Sequence, residues 1–289
     1  EGGIFTGAYH ADSAQKALTS KSLGHGTELH YKALGVVAVI SPWNYPVMMA
    51  NNLIVPALVA GNTVVLKPSE ETPLIAQAFF EHLKTHLPDG VFDIVHGDGT
   101  AGKTLVESDV QLIAFTGSQK AGKDIMAHAA TQLKRLVMEL GVNDPMIVMA
   151  DADIEQAARF AVASSFENAG QMCTSTERIY VDDVIAERFE QRVVQIASQY
   201  QVGSWNEPNV NIGPIINTKQ HQNILAHIKD AQEKGARILL GHAEYAAPFI
   251  QPTVIADLSP DMVMSQEETF GPVVAIGRYK NIEDAIALA

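Results

Sequence analysis

The run Leu34-Gly35-Val36-Val37-Ala38-Val39-Ile40, followed by Ser41-Pro42-Trp43-Asn44-Tyr45-Pro46, decides how this chain is read. An unbroken apolar run of that length, closed by proline, is the pattern of a parallel strand buried on both faces. Outward from it the pattern alternates. Tyr45–Ala60 reads as a helix packed on the sheet and Thr63–Lys67 as a strand. Thr72-Pro73 opens a helix to His86, with Thr as cap and Pro in the first turn. A short strand over Phe92–Val95 and the turn Gly97-Asp98-Gly99-Thr100 lead into a helix to Glu107. A strand over Gln111–Thr116, a helix from Gly117-Ser118 to Ala130 and a strand over Leu133–Leu140 complete the series. Alternation sustained this far predicts an α/β fold built on a doubly wound parallel sheet. Ligands of such sheets bind beyond the carboxyl ends of the strands, which selects Asn44, Lys67, Glu70, Thr116, Ser118 and Glu139 for inspection.

A second alternation starts at Met146–Met149. Helices are expected over Asp153–Asn168, Val184–Tyr200 and Asn217–Lys234, and strands over Arg178–Val181, Arg237–Leu240 and Val273–Tyr279. The boundary between the two halves falls near Gly141. Before residue 34, Tyr9–Ser20 reads as a helix and Thr27–Lys32 as an edge strand.

Composition narrows the function classes. The 289 residues carry a formal charge of −13, without the clustered Lys and Arg of a nucleic-acid binder. A single cysteine excludes an intrachain disulfide or a multi-thiolate metal site and fits a reducing, cytoplasmic setting. The ten histidines show no ligand spacing, so no metal is expected. The most apolar stretch, Asn52–Leu66, is broken by Pro56, Gly61 and Asn62, short of the ~18 residues a membrane span needs. The first residue is not Met, no signal peptide is visible, and the chain stops at Ala289 within a helical pattern. Its length is therefore not expected to be that of the whole natural protein.

The candidate chemical groups each have a plain reading beside the functional one. Cys173, in Gly170-Gln171-Met172-Cys173-Thr174, follows a helix and sits in a turn; it is either a small buried hydrophobe or a nucleophile. Asn44, fixed between Pro42 and Pro46, is a turn residue or an amide donor aimed at a cleft. Glu139 is a satisfied buried carboxylate or a general base whose pKa burial raises. Lys67 and Glu70 are solvated loop charges or ligands of ribose hydroxyls. Phe115-Thr116-Gly117-Ser118 is a strand and turn at a helix start suited to phosphate, although the usual G-x-G-x-x-G fingerprint is missing. Glu267-Glu268-Thr269-Phe270-Gly271-Pro272 taken alone is an exposed acidic turn.

Taken in order, Pro42-Trp43-Asn44-Tyr45-Pro46, Lys67-Pro68-Ser69-Glu70, Phe115-Thr116-Gly117-Ser118, Glu139-Leu140-Gly141, Gly170-Gln171-Met172-Cys173 and Glu268-Thr269-Phe270-Gly271-Pro272 closely resemble the aldehyde dehydrogenase superfamily. The resemblance runs from about residue 34 to the end. It implies a Rossmann-like NAD-binding domain over 1–140, incomplete at its start, and a second α/β catalytic domain over 141–289, incomplete at its end. It places an edge-strand and oligomer-forming segment near 24–33 and a dimer or tetramer for the full-length protein. By the same resemblance Cys173 is the nucleophile that attacks the aldehyde, Asn44 the oxyanion-hole amide and Glu139 the base that activates water against the thioester. Lys67 and Glu70 match the pair on the adenosine ribose, Gly117 and Ser118 the pyrophosphate turn, Glu268 the nicotinamide-ribose ligand and Phe270 the packing beside the nicotinamide. Ile40, Trp43, Ser69, Gly97, Phe115 and Leu140 complete the cofactor set. A carboxylate at Glu70 would repel a 2′-phosphate, so NAD is expected in preference to NADP. Tyr45, Met48, Met49, Phe166, Met172 and Thr174 are positional candidates for the substrate pocket, and no Arg stands among them to clamp a distal carboxylate. Two alternatives stay open: a folded remnant without catalysis, and a CoA-acylating semialdehyde dehydrogenase, against which Glu139 argues. One departure stands out. Val142 occupies the place of the family's second Gly in Glu-Leu-Gly-Gly, where a β-branched residue would strain the backbone or crowd the substrate.

Overall fold

The computed structural model describes residues 2–241 and 246–289, with the helical backbone alone for residues 2–4. It contains two compact units, Glu1–Gly141 and Val142–Ala289.

In the first unit, helix α1 (Gly2–Ala17) packs on α2 (Pro46–Val59), and an exposed antiparallel hairpin joins β1 (Lys21–Gly24) to β2 (Thr27–Leu29). The strand within 27–32 is thus shorter than its sequence suggests and, among the described residues, pairs only with β1. The main sheet is β3 (Val36–Ile40), β4 (Thr63–Lys67), β5 (Phe92–Ile94), β6 (Leu112–Gly117) and β7 (Arg135–Leu140), in the order β5-β4-β3-β6-β7 and parallel throughout. The chain builds outward from β3 to β5, returns, and builds the other way through β6 to β7. This is a doubly wound sheet whose strand order reverses between β3 and β6.

Two-residue periodicity of β3 divides the core. Val37 and Val39 face one side with Ile54, Leu66 and Phe80, while Ala38 and Ile40 face the other with Ile113, Phe115 and Ile125. Helices α2 and α3 (Pro73–Lys84) cover the first side; α4 (Gly99–Glu107) and α5 (Gln119–Ala130) cover the second. Thr72 does not cap α3 as its sequence suggests. Its side chain makes no capping bond and Oγ1 is buried without a partner, so Pro73 alone marks that helix start. Asp98 and Ser118 do cap, accepting from Thr100 N at 2.8 Å and Ala121 N at 3.3 Å.

The second unit has a sheet of β8 (Pro145–Val148), β9 (Arg178–Asp182), β10 (Arg237–Leu240), β11 (Thr253–Ala256) and β12 (Val273–Tyr279), ordered β10-β11-β12-β9-β8. Only the β10–β11 pairing is antiparallel. Helices α6 (Ile154–Phe166), α7 (Ala186–Ala197), α8 (Thr218–Glu233) and α9 (Ile282–Leu288) complete it. Phe166, Phe189, Ile179, Ile224 and Ile255 are fully buried at its centre. Strand β11 went unread in the sequence; Pro252 before it and Asp257 in a left-handed conformation after it leave only four residues of pattern.

Among the described residues, no helix is long and apolar enough to cross a membrane.

Candidate functional site

Strand ends β3, β4 and β6 and the starts of α4 and α5 surround a cleft of about 450 Å³ in the first unit. It lies where the strand order reverses, the position at which open α/β sheets bind ligands. Of the residues singled out from the sequence, Ile40, Trp43, Lys67, Ser69, Glu70, Phe115, Thr116, Gly117 and Ser118 line it together.

Lys67 ends β4 with its side chain only 5% exposed, and its Nζ lies 3.2 Å from Oε2 of the exposed Glu70. A nearly buried ammonium is tolerated because a carboxylate meets it at the cleft rim. Two helices point their N-termini into the same cleft, α4 through Gly99, Gly102 and Lys103 and α5 through Ser118 and Ala121. The positive ends of their dipoles suit a diphosphate. Gly117 has no room for a side chain, since a Cβ there would overlap the Phe115 ring; the backbone is thereby kept bare at the cleft floor. Ser41 Oγ lines the cleft, is buried and lacks a hydrogen-bond partner. A buried hydroxyl seldom stays unsatisfied, so it is a donor or acceptor waiting for a ligand group. The donor set fits a dinucleotide: carboxylate and ammonium for ribose hydroxyls, helix ends for the diphosphate, apolar walls for rings.

Sequence reasoning missed Ser41, Gly99, Gly102 and Lys103, and also Asp124 and His128 on α5, which line the cleft. Of the glycines in the Gly97-Asp98-Gly99 turn, it is Gly99 that lines the cleft. Gly97 is outside the lining; its φ of +150° and the overlap a Cβ would make with Ala101 assign it to the turn itself. Leu140 also lies outside the lining and packs on Gly122 with the β6–α5 core.

Asn44 follows Trp43 in the bend between β3 and α2, half-buried, with Pro46 opening the helix. Glu139 is opposite Thr116 in the β6–β7 register, at the carboxyl end of the sheet. It is exposed, contrary to the burial its apolar flanks suggest. Strand β7 is an edge strand and alternates exposed and half-buried residues, with Glu139 on the open face. Tyr45, just before α2, and Met48 and Met49 on its first turn are half-buried, outside the core cluster beneath.

In the second unit, Cys173 sits half-buried at the tip of a turn closed by Ser175 N donating to Met172 O at 3.0 Å. Three consecutive left-handed residues, Asn168, Ala169 and Gly170, bring the chain out of α6 to this turn. Below the turn, buried Gln171 donates to Asn168 O at 3.0 Å and accepts from Ile216 N at 2.9 Å. Beyond it, Ser165 Oγ donates to Thr176 O at 2.7 Å and Ser175 Oγ to Ser164 O at 3.1 Å. A thiol so framed is held in place by the backbone on either side. Met172 is half-buried and Thr174 exposed beside it. Phe166 is instead 1% exposed, edge-on to Tyr200, and belongs to the hydrophobic core rather than to a pocket wall.

The 267–272 turn is not the solvated acidic loop that its sequence alone suggests. Glu268 is half-buried, and burial first, then the neighbouring Glu177 and Asp144 carboxylates, push it up to about 8. Phe270 is left-handed at φ +53°. Gln220 Nε2 donates to Thr269 O and Phe270 O at 3.1 and 3.2 Å. Glu177, also missed from sequence, is buried and accepts from the N–H groups of Thr269 and Phe270. Burial pushes it up to about 7 against the pull of those two bonds. Val142 is exposed and outside the left-handed region, so the backbone strain expected there is not found.

The model of the aldehyde dehydrogenase family matches residues 4–289. The succinate-semialdehyde dehydrogenase [NADP(+)] of Escherichia coli (strain K12) is 41% identical over 89% of this chain and 54% of its own length. The mitochondrial aldehyde dehydrogenase of Leishmania tarentolae is 40% identical over 89% of the chain and 53% of its own length. Among solved structures, an E. coli NADP-dependent enzyme superposes with a TM-score of 0.94 at 36% identity, covering 100% of this chain and 63% of that one. An NAD-dependent aldehyde dehydrogenase from Sinorhizobium meliloti gives 0.92 at 34%, covering 97% and 58%. The chain spans about half the length of the curated relatives it matches. On the family match and the fold it shares with these enzymes, the chain belongs to the aldehyde dehydrogenase family.

Proposed function

We propose that the protein oxidises an aldehyde to its carboxylic acid with NAD. The observation that carries the cofactor half is the cleft in which buried Lys67 meets Glu70 beside two helix N-termini. Lys67 and Glu70 would hold the adenosine ribose, and the starts of α4 and α5 the diphosphate. A 2′-phosphate would face the Glu70 carboxylate, already committed to Lys67, which supports NAD over NADP. Similar proteins are named for NADP and for NAD, so the preference proposed here draws on Glu70 rather than on them.

The chemical half rests on the residues that match the family motifs. Cys173 Sγ, as thiolate, adds to the aldehyde carbon, and the oxygen that becomes negative accepts from the Asn44 side-chain amide and the Cys173 backbone N–H. Bound nicotinamide supplies the hydride acceptor that protein side chains lack. Cys173 then carries the acyl group as a thioester. Glu139 takes a proton from the water that attacks it, and the acid leaves as the thiolate is restored. Exposure of Glu139 supports this assignment, since a base for water must reach solvent.

Mixing the protein with NAD or NADP and a panel of aldehydes tests the reading. Succinate semialdehyde belongs in the panel because the E. coli relative is named for it. Absorbance growth at 340 nm with NAD and no need for CoA is the expected result. Growth only with CoA favours an acylating enzyme, and none with any aldehyde favours a non-catalytic relative.

A further inference from the structure

We propose that Glu177 is a positioning residue whose carboxylate accepts the backbone N–H groups of Thr269 and Phe270, and so holds the 268–270 turn against the segment that carries Cys173. The inference rests on the proposed function for what the turn does, but its structural content stands within the second unit alone.

Glu177 Oε1 lies 3.0 Å from Phe270 N and Oε2 3.1 Å from Thr269 N. Consecutive N–H groups converge on one anion only where the backbone curls, and the left-handed Phe270 supplies that curl. A bulky residue rarely holds this conformation unless its surroundings impose it. Here they act from both sides. Glu177 engages the two N–H groups, while Gln220 donates to the two carbonyl oxygens of the same residues. Gly170 closes the remaining side. It is left-handed at φ +71°, and a Cβ on it would overlap the Gly271 carbonyl, so the chain entering the Cys173 turn lies directly against the chain leaving Phe270. The backbone of Glu177 itself is tied to the residue before β8, through its N–H to Asp144 O at 3.0 Å.

Glu177 is four residues after Cys173, and Glu268 one before Thr269. One buried carboxylate therefore couples the position of the nucleophile segment to that of the residue assigned to the nicotinamide ribose. An ordinary structural carboxylate would stabilise the fold without favouring this turn. A positioning residue acts on the turn selectively.

Amide hydrogen exchange on the cofactor-free protein separates the two. In Glu177→Ala, the amides of Thr269 and Phe270 are expected to exchange at least about tenfold faster while β12 amides keep their protection, since each of the two loses its acceptor. In Glu177→Gln, one acceptor oxygen remains, so one of the two amides should stay protected. That variant also decides the matter if the alanine form does not fold. Kinetics add a second reading: the KM for NAD should rise about tenfold in Glu177→Ala with a smaller change in kcat. Unchanged exchange at both amides, or a loss of protection shared equally with β12, overturns the proposal. Absence of aldehyde oxidation by the unsubstituted protein would instead overturn the proposed function and leave the exchange result to judge Glu177.

Discussion

In the Glu1–Gly141 unit the candidate site residues stand at the ends of regular elements, whereas in the Val142–Ala289 unit they stand on two irregular turns. The first arrangement follows from sheet topology: wherever a parallel strand ends beside a reversal of strand order, side chains and helix N-termini converge without special backbone. The second needs left-handed residues at 168–170 and at Phe270, and side chains spent on backbone groups to keep them there. A site of the first kind should tolerate a small substitution at the element ends where a Cβ meets open space, as at Gly99 but not at Gly117. One of the second kind should not.

Two glycines break or sharpen that contrast most directly. Gly170→Ala places a Cβ into the Gly271 carbonyl at a left-handed position and is expected to cost about 3 kcal/mol or more in urea unfolding. Gly99→Ala, at the start of α4 with nothing within 4 Å of its Cβ, should change stability by less than about 1 kcal/mol. Equal costs would erase the distinction between the two kinds of site. Next in size, Lys67→Ala should weaken NAD binding about thirtyfold, near 2 kcal/mol, with the fold intact by circular dichroism.

A smaller effect separates the units by pH. Glu177 and Glu268 have folded pKa values of about 7 and about 8, above the ordinary 4.5. The folded state therefore holds more protons than the unfolded one from about pH 4.5 up to those values, and stability falls as pH rises through that window. His227 is lowered by burial and acts in the opposite direction, but only below its ordinary 6.5. Denaturant unfolding between pH 7 and 8 should thus show a fall that Glu268→Gln reduces. A flat profile would mean that the 268 carboxyl is not desolvated. The smallest expected change is in the first unit, where Thr72→Val removes an unpartnered buried hydroxyl and should be neutral or stabilising by up to about 1 kcal/mol.

The same contrast explains what could be read in advance. Strands β3, β4 and β6 were apparent because buried parallel strands are continuous apolar runs, and Lys67, Glu70, Thr116 and Ser118 followed from where those runs stop. Ser41 and Gly102 escaped because nothing in residue type marks a hydroxyl as orphaned or a helix as aimed at a cleft. In the second unit Cys173 and Glu268 were visible only through the order of family motifs. Glu177 was invisible even then: its partners are backbone N–H groups about ninety residues away, and backbone groups leave no signature in sequence. Phe166, chosen for its place before the cysteine turn, is turned into the core, because residue spacing along α6 does not tell which side the pocket takes.

Cys173→Ala tests the central claim most directly, with aldehyde-dependent NADH formation and NAD binding measured on the same protein. Binding can be followed by tryptophan fluorescence, since Trp43 lines the cleft and Trp205 is exposed in the other unit. The expected result is a loss of turnover of about 10⁴-fold or more with NAD affinity unchanged. Undiminished turnover in that variant would contradict a cysteine nucleophile and, with it, the proposed mechanism.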